Sequence, residues 1–198
     1  MTSPPTVRRA PKGFTLIELI IVLAVAAVLA AAAAPSLETF VRNSRVRGEG
    51  LRLLEGLMYA RGEAAKRQMP VVVCELDYAD IANSPACGGT GAGDWAIFSS
   101  ADGDLVFDFG TDVLLRVMPA GPSGVERLNK PADALALVFE RDGSLRGATE
   151  AVFGICDDRD GDGEGDGEYG RELHISPVGR AWLKKGSVED PVSCDPNS

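Results

Sequence analysis

The chain has 198 residues, 45 % of them hydrophobic, and a formal net charge of −9. That length holds one domain of ordinary size plus an extension, and the apolar content excludes a disordered chain. The acidic balance argues against general affinity for nucleic acid or anionic lipid, which would need a local basic patch. Four cysteines without a C-x-x-C pair, with a single histidine, His174, argue against a zinc site.

Residues 1–13 carry Arg8, Arg9 and Lys12 and no acid, whereas the rest carries 17 basic and 29 acidic groups, a net of −12. An apolar run follows from Phe14 to Ala34, 21 residues that span about 31 Å as a helix, roughly a bilayer core. The run is too long for the apolar part of a secretory signal, and the segment that looks like a processing site, Lys12-Gly13-Phe14, lies before it. A basic start predicts a cytoplasmic N-terminus and an acidic domain outside. Glu18 is the one charge between Ile17 and Ala34, and a carboxylate in an apolar helix is costly without a partner. It lies four residues after Phe14. If the chain is cut after Gly13, the new α-amine of a neighbouring subunit is its natural counter-ion, which makes the charge an assembly device.

Gly13-Phe14-Thr15-Leu16-Ile17-Glu18 behind a short basic leader resembles the type III signal of type IV pilins and of type II secretion pseudopilins. The resemblance implies cleavage between Gly13 and Phe14 by a prepilin peptidase, N-methylation of Phe14, and pairing of Glu18 with that N-terminus during assembly. Pro35 matches the helix-kinking proline of many pilins. Proline removes a donor and clashes within a helix, so a bend or a locally melted stretch is expected there. The organisation expected is a cleaved leader at 1–13, a transmembrane and assembly helix at 14–34, an amphipathic helix at 35–68 and a globular β head at 69–198.

In the segment 35–68, Leu37, Phe40, Val41, Leu51, Leu54, Leu57, Met58 and Ala65 fall mostly three or four residues apart. This is read as the stripe that packs on the head. Gly48, Gly50, Gly56 and Gly62 are expected to weaken the helix by up to about 1 kcal/mol each. The arginines of 42–52 read as a solvated face, with phospholipid heads or nucleic acid as the alternative contacts.

Beyond Pro70 the expected strands are Met69–Leu76, Trp95–Ser99, Leu114–Val117, Ala134–Glu140, Ala151–Cys156 and Arg171–Ser176, separated by Gly- and Asp-rich turns. The fold class is α+β: one long helix packed on a mostly antiparallel sheet, with no second domain. Cys74, Cys87, Cys156 and Cys194 in a translocated domain favour two disulfides. Of three possible pairings the most local is Cys74–Cys87 with Cys156–Cys194, which would staple a loop and pin the C-terminal tail.

The head resembles FimT/FimU-type minor pilins and the related GspH-type pseudopilins. The matching pieces include Asp94-Trp95-Ala96-Ile97-Phe98, Ile155-Cys156-Asp157-Asp158-Arg159 and Ser176-Pro177-Val178-Gly179-Arg180. What it implies is a type IV pilin fold and a structural subunit of the inner membrane and of a filament. Its partners would be other pilins or pseudopilins, the inner-membrane assembly platform and the prepilin peptidase. Some FimT-like proteins bind DNA through a basic Gly-Arg-x-Arg motif. Here Gly179-Arg180-Ala181-Trp182 keeps the first arginine, so Arg180, Lys184 and Lys185 could contact phosphates and Trp182 could stack on a base. Against this stand the acidic head and a structural role for Trp182.

Residues 157–168 alternate carboxylates with glycines, which suits a hard cation such as Ca²⁺ held by Asp158, Asp160, Asp162 and Glu164. Position twelve is Tyr169 or Arg171, so the loop is not an EF-hand, and a solvated hairpin loop is the simpler reading. No nucleophile stands beside His174, which argues against an enzyme. A standalone membrane-anchored binding domain is the other alternative, but it would not need Glu18.

Overall fold

The computed structural model describes residues 14–76, 85–88, 93–121, 125–130, 136–147, 149–159, 165–187 and 194. The chain divides into two compact units, Met1–Val41 and Arg42–Ser198. One helix, α1 (Leu16–Arg67), contributes to both. Thr15 caps its start, its hydroxyl oxygen accepting the Glu18 N–H at 3.3 Å. The helix ends in a turn with basic Lys66 and Arg67, beside its negative pole. Gln68 follows with φ +56°, the left-handed geometry that closes a helix, and Pro70 has no N–H to continue it. At Pro35, where a bend or a locally melted stretch is expected, the backbone is helical. A proline deprives only the carbonyl four residues earlier, that of Ala31, of its usual donor.

The second unit sets the last seven turns of α1 against two antiparallel sheets. The first has the order β3 (Val113–Met118), β2 (Trp95–Ser99), β1 (Val71–Glu75), β5 (Ala136–Phe139). The second has the order β4 (Val125–Lys130), β6 (Ala151–Asp157), β7 (Arg171–Ile175), β8 (Ala181–Lys185). The main core joins Val46, Leu53, Leu57, Ala60 and Ala64 of the helix to inward residues of both sheets, among them Ile97, Phe139, Phe153 and Leu173. Trp95 and Phe153 meet edge to face across it at 5.6 Å. A second cluster (Val72, Cys74, Ala96, Phe98, Phe107, Val138) fills the other face of the first sheet, with Cys87, the disulfide partner of Cys74, packed against it.

The helix stripe differs from the one expected. Leu57 is buried and Leu54 is partly buried, but Leu37, Phe40, Val41, Leu51, Met58 and Ala65 are exposed. The face that packs carries Val46, Leu53 and Leu57 with small residues set between them. Leu183 of β8 lies over Gly50, where an added Cβ would meet its methyls at 2.9 and 3.0 Å, and Met118 of β3 lies over Gly56. The sheets therefore come close to the helix axis at these glycines, and Leu51 and Met58 are left exposed.

Candidate functional site

At the N-terminal end, Phe14 is 85 % exposed and every large apolar side chain from Leu16 to Leu29 is exposed as well. An 18-residue stretch of this helix has a mean hydropathy of 2.8 and no buried residue, so the helix is long and apolar enough to cross a membrane. Glu18 stands in its first turn, where a carboxylate is favoured by the positive pole of the helix. Among the described residues no cation pairs with it. The Thr15 cap missing from the sequence reading was legible as T-x-x-E ahead of an apolar run, half of a capping box. Gly13 and the leader lie outside the described residues.

The residues considered for DNA gather on one hairpin. Gly179 adopts φ +76°, and an added Cβ would run into the carbonyl oxygen of Gly143, so glycine is required there. The turn closes through Ser176, whose N–H donates to the Arg180 carbonyl at 2.9 Å and whose hydroxyl oxygen accepts the Arg180 N–H at 3.1 Å. Arg180 and Lys185 are exposed. Trp182 is 38 % exposed, and one face of its ring is stacked on His174 at 5.1 Å, with the planes 9° apart. His174 Nδ1 lies 2.7 Å from Glu150 Oε1 and its Nε2 lies 3.2 Å from Glu172 Oε2, while Lys184 Nζ is 3.5 Å from the same Glu172 oxygen. Of the three cations considered, Lys184 thus already meets a carboxylate.

The Ca²⁺ ligands suggested for the Asp/Gly loop fall mostly outside the described residues: Asp160, Asp162 and Glu164 are not placed, and Asp158 is. The stem is held by its own chain. Arg159 Nε meets Asp157 at 3.1 Å, its guanidinium lies 3.8 Å from the centre of the Tyr169 ring, and the Arg159 N–H donates to Asp166 at 2.5 Å. Arg42 and Asn43 of the helix hold the same stem through the Asp158 carbonyl (3.1 Å) and Arg159 (2.7 Å). The Cys156–Cys194 disulfide closes over Gly165, where a Cβ would meet both cysteine Cβ atoms at 2.7 and 2.8 Å.

The loop between β2 and β3 contains an acidic group that sequence reading passed over, Asp102, Asp104 and Asp108, with carboxylate oxygens within 4.8 Å of one another. Two of them are turn residues. The Asp104 N–H donates to Asp102 at 3.2 Å and the Val106 N–H to Asp104 at 2.9 Å. Asp102 is held below the usual carboxylate range, first by the Asp104 N–H and then by the Ser100 hydroxyl. Asp108 is pushed up by burial and by the charges of Asp104, Asp112 and Asp102.

An exposed apolar helix that opens on a single carboxylate, carried into a two-sheet head stapled by two disulfides, defines a pilin-like subunit, minor pilin or pseudopilin. The chain belongs to the family described as type II transport protein GspH, which matches residues 49–179, and the prokaryotic N-terminal methylation motif matches residues 8–34. Two crystal forms of the Pseudomonas aeruginosa type IV minor pilin FimU share the fold. One is 25 % identical, with a TM-score of 0.55 over 79 % of this chain and 99 % of that one. The other is 24 % identical, with a TM-score of 0.52 over 75 % and 99 %. No curated protein matches the chain. The family is one of structural subunits, and membership carries with it membrane anchoring by the N-terminal helix, peptidase processing and assembly with other pilins.

Proposed function

We propose that this chain is a minor pilin of a type IV pilus. A prepilin peptidase cuts between Gly13 and Phe14, and the subunit waits in the inner membrane with its N-terminus cytoplasmic and its head periplasmic. It then enters the filament through α1, with the assembly platform and other pilins as partners. The observation that carries this is Glu18, a carboxylate in the first turn of a helix whose large apolar side chains from Leu16 to Leu29 are all exposed. Its pairing with the α-amine of a neighbour's Phe14 makes assembly rewarding and the lone subunit incomplete. Likeness to a pilus minor pilin along 79 % of the chain favours the pilus. The family's name keeps a type II secretion pseudopilin as the second reading.

Intact-mass and N-terminal analysis of membrane extracts, with and without the peptidase, tests the first step. A product that begins at N-methylated Phe14 only when the peptidase is present is expected. An uncut chain, or a cut after the apolar run, overturns the reading. Glu18→Ala should leave membrane insertion intact and remove the subunit from sheared filaments. Loss of secreted proteins rather than of pili in a deletion strain would select the secretion machine.

A further inference from the structure

This inference rests on the filament reading and names the kind of partner that one surface of the head fits. Beyond Val41, seven large apolar side chains are exposed among the described residues. Three of them fall within nine residues, in the loop between β2 and β3 and at the start of β3: Leu105 at 43 %, Phe109 at 67 % and Val113 at 49 %. Single exposed apolar residues are ordinary, but three on one loop mark a contact surface. Asp102, Asp104, Asp108 and Asp112 are interspersed with them in the chain. The charges of Asp104, Asp112 and Asp102 push Asp108 up, after burial, so negative charge is crowded here.

The loop is preorganised. The Cys87 N–H donates to the Leu105 carbonyl at 2.7 Å and the Phe107 N–H to the Pro85 carbonyl at 3.0 Å, while Cys87 is itself bonded to Cys74 of β1. Phe107 is buried edge to face against Phe98 at 5.4 Å. The Asp112 carboxylate accepts the N–H groups of Ala101 and Asp108, both at 3.1 Å, and the Arg146 guanidinium donates to the Gly103 carbonyl. A loop already fixed in shape loses little entropy on docking.

Charge narrows the occupant. Four carboxylates around the apolar side chains repel nucleic acid and an anionic lipid surface. A second copy of this chain also fits poorly. Residues 69–198 hold 10 basic and 24 acidic side chains, so two heads repel each other. The basic part is the helix, where residues 35–68 hold 7 basic and 4 acidic side chains. Yet its exposed Arg45 and Arg47 are followed by a single exposed large apolar residue, Leu51, and then by the exposed carboxylate of Glu55. One leucine does not cover Leu105, Phe109 and Val113.

We propose that the surface formed by Leu105, Phe109 and Val113, with its carboxylates, docks on the helix of a different pilin subunit, one whose exposed face is cationic and carries more apolar side chains than this chain's own. The apolar side chains form the centre of the contact and the carboxylates its rim. The rim charges select the partner and exclude a second copy. The crowding at Asp108 is relieved when a cation arrives.

Photocross-linking of the full-length chain, in cells that assemble the filament, tests the contact. A photoreactive phenylalanine analogue replaces Leu105, Phe109 or Val113, one at a time, and the adduct is mapped by digestion and mass analysis. The expected adduct joins the loop to the helix of a different pilin subunit, in a segment where Lys and Arg outnumber Asp and Glu. No hydrogen bond contributes to the shift of Asp108, so its replacement leaves the turn bonds of the loop in place. Asp108→Lys should lower the adduct yield by about tenfold or more, Asp108→Asn by less, and reversal of the mapped cation in the partner should restore the yield of Asp108→Lys. An adduct with a second copy, with lipid, within the chain itself or with an acidic segment overturns the contact. So does a yield indifferent to Asp108→Lys, or no adduct from any of the three positions. Processing at Gly13 is read in the same cells. Normal processing without the adduct overturns this contact alone, and the adduct from an uncut chain overturns the filament reading alone.

Discussion

Glu63 is 8 % exposed on the packed face of α1, with Arg67 Nε at 2.6 Å and Lys66 Nζ at 3.0 Å from its two oxygens. The bond from Arg67, then that from Lys66, holds its carboxyl below the usual range. A folded-state value below the unfolded one adds stability that is fully present above the unfolded value, about 4.3. That stability is lost as the pH falls through the folded value. Asp108 has the opposite sign: its raised value means that ionisation opposes folding, and the opposition disappears once both states are protonated. Glu63→Gln should therefore lower, and Asp108→Asn raise, the denaturation midpoint at pH 7. Both differences should shrink as the pH falls, that of Asp108 below its unfolded value and that of Glu63 only through its lowered folded value. A midpoint shift that persists unchanged in acid would refute the electrostatic account. Neither group was legible as special in the sequence. Nothing in the local pattern around Glu63 tells that Ala60 and Ala64 beside it are core.

At the scale of elements, strands rich in apolar residues were legible and two strands rich in polar residues were not. β1 and β2, with every residue buried, read as short apolar runs. β8 reads Ala-Trp-Leu-Lys-Lys and β4 reads Val-Glu-Arg-Leu-Asn-Lys, patterns whose polar residues masked them. In β8 the outward positions carry Trp182 and Lys184. The helix misled in another way. Its largest apolar residues suggested the packed face, but the partners that decide the matter, Leu183 and Met118, come from strands far along the chain and need glycine beneath them. The four glycines thus divide into two kinds. Gly56→Ala should destabilise the full chain in detergent by about 1–3 kcal/mol through overpacking against Met118. Gly62→Ala, where a Cβ meets nothing within 4 Å, should stabilise it by about 0.5–1 kcal/mol through helix propensity. Chemical denaturation of the two variants measures both. Equal effects would mean that propensity alone governs this helix.

For the whole molecule, the N-terminal fifth was the most legible part, because a membrane demands a continuous apolar run and assembly demands the charge within it. The distribution of exposed apolar side chains makes the same division physical. Of 21 large apolar side chains exposed among the described residues, 14 lie between Phe14 and Val41. The core of the second unit takes its first helix residue at Val46. The described residues of both apolar clusters and of both disulfides lie at Val46 or beyond. A chain that begins at Arg42 should therefore fold, form both disulfides and remain in solution without detergent, whereas the full chain should need detergent and float with vesicles. Its helix loses several turns that contribute no residue to that core, so the stability cost should be small against a total of about 5–15 kcal/mol. Vesicle flotation, non-reducing mass analysis and near-ultraviolet circular dichroism read the three expectations separately. A truncated chain that aggregates or scrambles its cysteines would show that the apolar helix holds the head together as well as anchoring it. In that case Glu18 could no longer be assigned to assembly from loss of filaments alone.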